Sequence, residues 1–272
     1  MPVKKTRWEK SFAQVWTNYI PPARPSAAEI VLYTKYLRKL QNAKKDKIKL
    51  LVLGSTPEFR DWGFQEGLDV TVIDYNKENN GILKTFMRHQ NAKENFIEES
   101  WKDMKFENEF DIIIGDHAIS VLLREDLPDV LKNIARALKK DGIFITKHYL
   151  GLGKNRTLEE IIKSYYAKFS NYHIYLIAST EIVVSGADRK TNYFDFGKAL
   201  KELKNLCDAG LLKKEDYATF EEYGWANMKF NLYVPTQGQW EKALKPHLNI
   251  HKIDYSQDIY AKEMPIYILK KK

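Results

Sequence analysis

The chain has 272 residues, 44% hydrophobic and 29% charged, with 13 glycines and 9 prolines, which excludes a disordered, collagenous or membrane-spanning protein and leaves room for a sizeable core. No apolar run approaches the ~18 residues that cross a bilayer, the first eight residues lack a signal peptide's apolar core, and the lone Cys207 cannot close an internal disulfide, so a cytoplasmic protein is expected. The formal charge of +8 is unevenly spread: residues 1–49 hold twelve Lys or Arg against Glu9, Glu29 and Asp46, while the remainder is close to neutral.

Taken in chain order, Trp8, Phe12, Val15, Trp16 and Tyr19 fall at helical spacing over residues 8–19 before Pro21-Pro22-Ala23-Arg24-Pro25 breaks the run. Ser26 with Glu29 three residues later is a capping box, and Ile30, Leu32, Tyr33, Tyr36, Leu37 and Leu40 continue an amphipathic helix. From Ile48 the pattern becomes short continuous apolar runs between helical stretches, which is how a parallel sheet covered on both faces reads. The runs are 48–53, 70–73, 95–97, 110–114 and 143–146, with a helix expected over 128–140 and a turn at Asp141-Gly142. About ninety mostly helical, aromatic-rich residues then interrupt the rhythm. It resumes with a helix over 239–245 and strands over 249–255 and 266–269. The expected organisation is a helical lid at 1–46, an α/β domain formed by 47–150 and 236–272, and a helical acceptor-side insertion at 151–235.

The first strand runs into Gly54-Ser55-Thr56-Pro57-Glu58: a glycine, two capping hydroxyls and a proline at a helix start. Asp74 follows twenty residues after Gly54 at the end of the second strand, the spacing at which a carboxylate accepts hydrogen bonds from ribose hydroxyls. An adenosine-containing ligand is implied. A dinucleotide places its pyrophosphate on free N–H groups of the helix start, whereas Pro57 offers none and Glu58 adds negative charge. S-adenosylmethionine suits the turn better, because Glu58 can pair with its ammonium group and Ser55 with its carboxylate.

The Leu53-Gly54-Ser55-Thr56-Pro57-Glu58 turn, Asp74, the strand Asp111-Ile-Ile-Ile-Gly-Asp116 and the segment Leu138-Lys-Lys-Asp-Gly-Ile-Phe144 together resemble class I S-adenosylmethionine-dependent methyltransferases. Among these the chain is similar to the branch with a Gly-x-Thr-Pro-Glu first turn and an Arg-Pro-Ser segment, here Arg24-Pro25-Ser26. The resemblance implies a Rossmann-like, seven-stranded, mostly parallel sheet with an antiparallel last strand, the N-terminal lid, and the helical insertion after strand five. It implies S-adenosyl-L-methionine as cofactor, held by Gly54, Ser55, Thr56, Glu58, Asp74, Ser100, Trp101 and Asp116. The sequence departs from the family in lacking the turn's second glycine and in carrying Glu99-Ser100-Trp101 where many members have Asp before the adenine contact.

In this family the edge after strand four faces the transferred methyl, and here it reads Gly115-Asp116-His117-Ala118. His117 beside Asp116 is a candidate general base, with His148 and Tyr149 at the end of strand five as further candidates. A small-molecule acceptor, aromatic or bearing an amine or hydroxyl, is expected, with the insertion's aromatic residues as the apolar wall of its pocket and Arg189-Lys190 as a pair for an anionic acceptor. The alternatives are a methyltransferase acting on RNA through the basic arm and a non-catalytic cofactor-binding sensor or subunit. Cys207 is too remote for cysteine-dependent transfer to a pyrimidine carbon, and no His, Cys and Asp spacing suggests a metal site.

Overall fold

Ser26 starts the first helix with the expected capping box: its hydroxyl accepts from Glu29 N at 3.1 Å and Glu29 Oε2 accepts from Ser26 N at 3.0 Å. The computed structural model describes residues 16–44, 46–151, 156–228, 230–262 and 264–272. Trp8, Phe12 and Val15 of the expected first helix lie outside the described residues, and Trp16–Asn18 form a single 3-10 turn. The capped helix, α1 (Ala27–Ala43), lays Leu32, Tyr33, Tyr36 and Leu37 on the sheet.

Five parallel strands follow: β1 (Lys49–Leu53), β2 (Asp69–Asp74), β3 (Asn95–Glu98), β4 (Phe110–Asp116) and β5 (Leu138–Lys147). Helices α2 (Pro57–Gln65), α3 (Lys77–Lys84) and α4 (Leu127–Ala137) connect them. The apolar runs are buried on both faces because alternate side chains serve two cores. Leu51, Leu53, Ile113 and Phe144 pack with Val130, Leu131 and Ile134 of α4 on one side, while Leu50, Val52, Ile112, Ile114 and Ile145 pack with α1 and α2 on the other.

The helix expected to reach Lys140 ends at Ala137, and Leu138 already belongs to β5. Its two lysines do not cap a helix: Lys139 Nζ bonds Asp111 Oδ2 at 2.8 Å across the neighbouring strand. Asp141-Gly142, expected as a turn, lies inside β5 at the strand irregularity, where a Cβ on Gly142 would meet Phe110 O at 2.8 Å.

The insertion contains α5 (Leu158–Lys168), α6 (Ile174–Gly186), β6 (Tyr193–Asp195), α7 (Phe196–Asp208), α8 (Lys214–Glu222) and β7 (Asn231–Tyr233). The antiparallel pair β6–β7 was not expected from a mostly helical pattern; three-residue strands carry too little period to read. After α9 (Gln237–Leu244), the strands β8 (Leu248–Asp254) and β9 (Ile266–Lys271) complete a seven-stranded sheet of order β3-β2-β1-β4-β5-β9-β8. β9 runs antiparallel to both β5 and β8. This is the Rossmann-like architecture expected, and strand order reverses between β1 and β4, the switch point at whose carboxyl edge such sheets bind ligands. No helix among the described residues is long and apolar enough to cross a membrane.

Candidate active site

The β1 turn is shaped by Gly54. Its φ of +88° is a left-handed conformation that side chains resist, and a Cβ there would stand 3.5 Å from the Trp101 ring. Trp101 is fixed by Nε1 donating to Ile73 O at 2.9 Å, so the indole roofs the turn. Thr56 occupies the N-cap position but makes no side-chain cap, and Pro57 begins α2. The Ser55 hydroxyl, expected as a cap, donates to Asp74 Oδ2 at 2.8 Å instead, and Asp74 Oδ1 accepts from Asn76 N at 3.0 Å. The first turn and the second strand's carboxylate are thus one hydrogen-bonded unit. Beneath it the fully buried Arg60 donates to Ser55 O at 3.2 Å while Glu94 holds its guanidinium with two bonds, at 2.8 and 2.5 Å.

A cavity of about 400 Å³ opens at this edge, within the ~300–1,000 Å³ range of ligand sites. It is lined by Gly54, Ser55, Thr56, Asp74, Ser100, Trp101, Asp116 and His117 of the sequence candidates. Glu58 and Tyr149 are not in the lining. Glu58 Oε1 accepts from Trp16 Nε1 at 3.3 Å and pairs with Arg24, whose guanidinium stands 5.8 Å over the Trp16 ring, while Glu58 Oε2 accepts no bond. Trp16 and Ala23 lie in the cavity wall, so the segment from Trp16 to Ala23 covers part of the site. Tyr149 stacks on His117 with centroids 4.5 Å apart.

His117 sits at φ +51°, strained for a residue with a Cβ, at the end of β4. Its Nε2 lies 2.9 Å from Pro22 O. A carbonyl only accepts, so this nitrogen carries the proton and the unpartnered Nδ1 holds the lone pair. Burial, aided by nearby Lys147, pushes the imidazole down to about 3, so it is neutral at physiological pH. His148 is fully buried against Trp240, with Nε2 3.0 Å from Thr146 Oγ1, away from the cavity lining.

Asp116 belongs to a buried ion cluster. Lys147 Nζ donates to both Glu29 oxygens at 2.6 Å and stands 3.5 Å from Asp116 Oδ1, yet neither Asp116 oxygen accepts a hydrogen bond. Burial raises the Asp116 carboxyl to about 6 despite the attraction of Lys147. Glu29 therefore does more than cap α1: it neutralises a lysine 118 residues away.

The remaining lining includes Tyr75, Asn79, Leu83, Val121, Leu122, Leu123 and Asp126, which the sequence did not single out. Asn76, the side-chain cap of α3, was a readable signal for the first few of these. The insertion's aromatic residues do not line the cavity. Tyr175, Phe194, Phe196, Phe220 and Trp225 form that segment's own core, and Arg189 donates to Val184 O at 3.0 Å.

The model of a methyltransferase domain family matches residues 53–146. The chain is an enzyme that carries a methyltransferase domain over these residues. Its methyl donor is S-adenosylmethionine. The matched span runs from the end of β1 to the penultimate residue of β5 and includes the Gly54 turn, Asp74 and Asp116. No curated protein matches the chain by sequence. Among solved structures, one from Rhodobacter sphaeroides named as a zinc-dependent alcohol dehydrogenase is 14% identical with a TM-score of 0.61 over 97% of this chain and 100% of that one. A Clostridium acetobutylicum S-adenosylmethionine-dependent methyltransferase is 11% identical with a TM-score of 0.53 over 90% of each chain. The Burkholderia thailandensis 1,6-didemethyltoxoflavin-N1-methyltransferase, solved with S-adenosylhomocysteine, is 11% identical with a TM-score of 0.50 over 90% of this chain and 78% of that one. At these identities the likeness is one of fold.

Proposed function

We propose that this methyltransferase acts in the cytoplasm on a small molecule that enters the cavity beneath Trp16, and that it belongs to the branch with a Gly-x-Thr-Pro-Glu first turn. The observation that carries the reading is the cavity itself: a space of about 400 Å³ whose lining holds Asp74, Asp116 and Asp126 and no Lys or Arg among the described residues. A surface that tracks a phosphate backbone is basic, and this one is acidic and apolar.

The residues present fit the donor. Asp74, already oriented by Ser55, accepts from the ribose hydroxyls; Trp101 and Ser100 frame the adenine end; and Gly54 and Thr56 let the methionine end approach the backbone. Bound S-adenosylmethionine supplies an electrophilic methyl on a sulfonium. The chain's own task is to exclude water, align the acceptor and manage its proton. His117 is the residue we assign to acceptor alignment, through the Nδ1 lone pair that Pro22 leaves unprotonated. Residues 1–46 act as lid, 47–150 with 236–272 as donor-binding domain, and 151–235 as the acceptor-side insertion.

The basic arm within residues 1–49 favours RNA as a second reading. Incubation with methyl-labelled S-adenosylmethionine and either a metabolite extract or total RNA distinguishes them by mass spectrometry. Label in small molecules alone is expected, and label confined to RNA overturns the first reading.

A further inference from the structure

Asp116 has an environment that the donor site does not explain. Its side chain is 4% exposed, it lines the cavity, and both its oxygens are buried without a hydrogen bond. Its one cation, Lys147, is already bonded twice to Glu29. The other cavity carboxylates are provided for: Asp126 accepts from Lys102 Nζ at 2.6 Å, and Asp74 accepts from Ser55 and Asn76. The Arg24 guanidinium is taken by Glu58. Beside Asp116, the His117 Nδ1 is a further buried acceptor without a donor, and the neighbouring lining is apolar: Ala23, Ala118, Val121, Leu122 and Leu123.

Three acceptor sites in a cluster where two carboxylates, Asp116 and Glu29, share the single Lys147 make a locus that wants N–H donors. A carbonyl, carboxylate or phosphate oxygen brings acceptors to acceptors, and a hydroxyl brings one donor for three sites. An ammonium group brings up to three donors and the missing charge, and a buried carboxylate is strongly stabilised only by such a partner. Resting on the methyltransferase reading above, we propose that the acceptor is an amine, bound as its cation on Asp116 and His117 Nδ1, and that Asp116 is the residue that selects it. The proton on the ammonium nitrogen passes to an Asp116 oxygen, which frees the nitrogen lone pair that receives the methyl; Asp116 later releases that proton to water. Burial has already brought the carboxyl to about 6, closer to an amine than an ordinary Asp, which favours this transfer.

The experiment is calorimetric titration at S-adenosylhomocysteine concentrations that saturate each variant. The probes are phenethylamine and tryptamine, with phenethyl alcohol and phenylacetate as shape controls. The amines are expected to bind the parent at least tenfold more tightly than either control, and Asp116→Asn is expected to abolish that preference while His117→Ala halves it or more. The proposal is overturned if the alcohol or the acid binds as well as the amines, if neither amine binds at 10 mM, or if Asp116→Asn keeps the preference. It is also overturned if the substitution weakens only S-adenosylmethionine relative to S-adenosylhomocysteine, since Asp116 would then be the sulfonium's counter-ion. Failure of S-adenosylhomocysteine to bind the parent would instead overturn the donor-binding basis of the function and is read separately. Should Asp116→Asn not fold, Asp116→Ser with the same probes gives the same decision.

Discussion

Asp116 destabilises the free protein, and the sign of its effect can be measured. Its folded carboxyl titrates near 6 against an ordinary 3.8, so the folded state holds the proton more tightly than the unfolded chain. Well below pH 3.8 both states are protonated and no penalty exists; the penalty grows as pH rises from 3.8 through about 6 to its full value, on the order of 3 kcal/mol. Asp116→Asn is therefore expected to raise the melting temperature by several degrees at pH 7.5 and to leave it unchanged at about pH 2.5. Equal shifts at both pH values would show that the carboxylate is compensated by a partner. A second residue-scale expectation concerns Asp74. Replacing it with Ala removes the ribose acceptor and the partner of Ser55, and the dissociation constant of S-adenosylhomocysteine should rise about 10–100-fold by calorimetry. An unchanged constant would leave Asp74 as a turn residue alone.

At the scale of elements, the site depends on two close approaches. Helix α2, which carries the Pro57 turn, packs on the sheet through Gly63, where a Cβ would come within 2.7 Å of Val70 Cγ2 and 2.8 Å of Leu50 Cδ2. Gly63→Ala should cost about 1–3 kcal/mol in denaturant unfolding, because both contacts are in the close-packed core. The Trp16–Arg24 segment packs through Tyr19, whose hydroxyl would stand 2.6 Å from a Cβ on Gly224, itself at φ +80°. Gly224→Ala should release the Trp16–Arg24 segment, raise the rate of chymotryptic cleavage after Tyr19, and weaken S-adenosylhomocysteine binding. In the parent, bound S-adenosylhomocysteine should slow that cleavage. Equal rates with and without it would show that the segment is not coupled to the ligand.

For the whole molecule, the excess charge sits in residues 1–49 and the cavity lining is acidic, so catalysis and electrostatic attraction to polyanions are separable. Turnover of a small acceptor should change less than about twofold between 50 and 200 mM salt, whereas an RNA substrate held by 6–10 phosphate contacts would lose ~10³–10⁵ in affinity over the same range. What the sequence determined alone was the part carried by short-range rules. Short apolar runs between helices declared the parallel sheet, the capping box at Ser26 and Glu29 declared α1, and the Gly54 turn with Asp74 twenty residues on marked two residues that line one cavity. Each depends on periodicity or on spacing within one βαβ unit, which a linear chain displays. The end of α4 was misread because Leu138 satisfies a helical period as well as a strand, and only pairing with Phe110 decides between them. Only the tertiary structure decided that Glu29 neutralises Lys147, that Arg24 and Trp16 occupy one oxygen of Glu58, and that the insertion's aromatic residues turn inward to one another and away from the cavity. Trp16 and Glu58 stand 42 positions apart and Glu29 and Lys147 118, and in a single sequence a charge or a ring carries no mark of the partner that burial will assign to it.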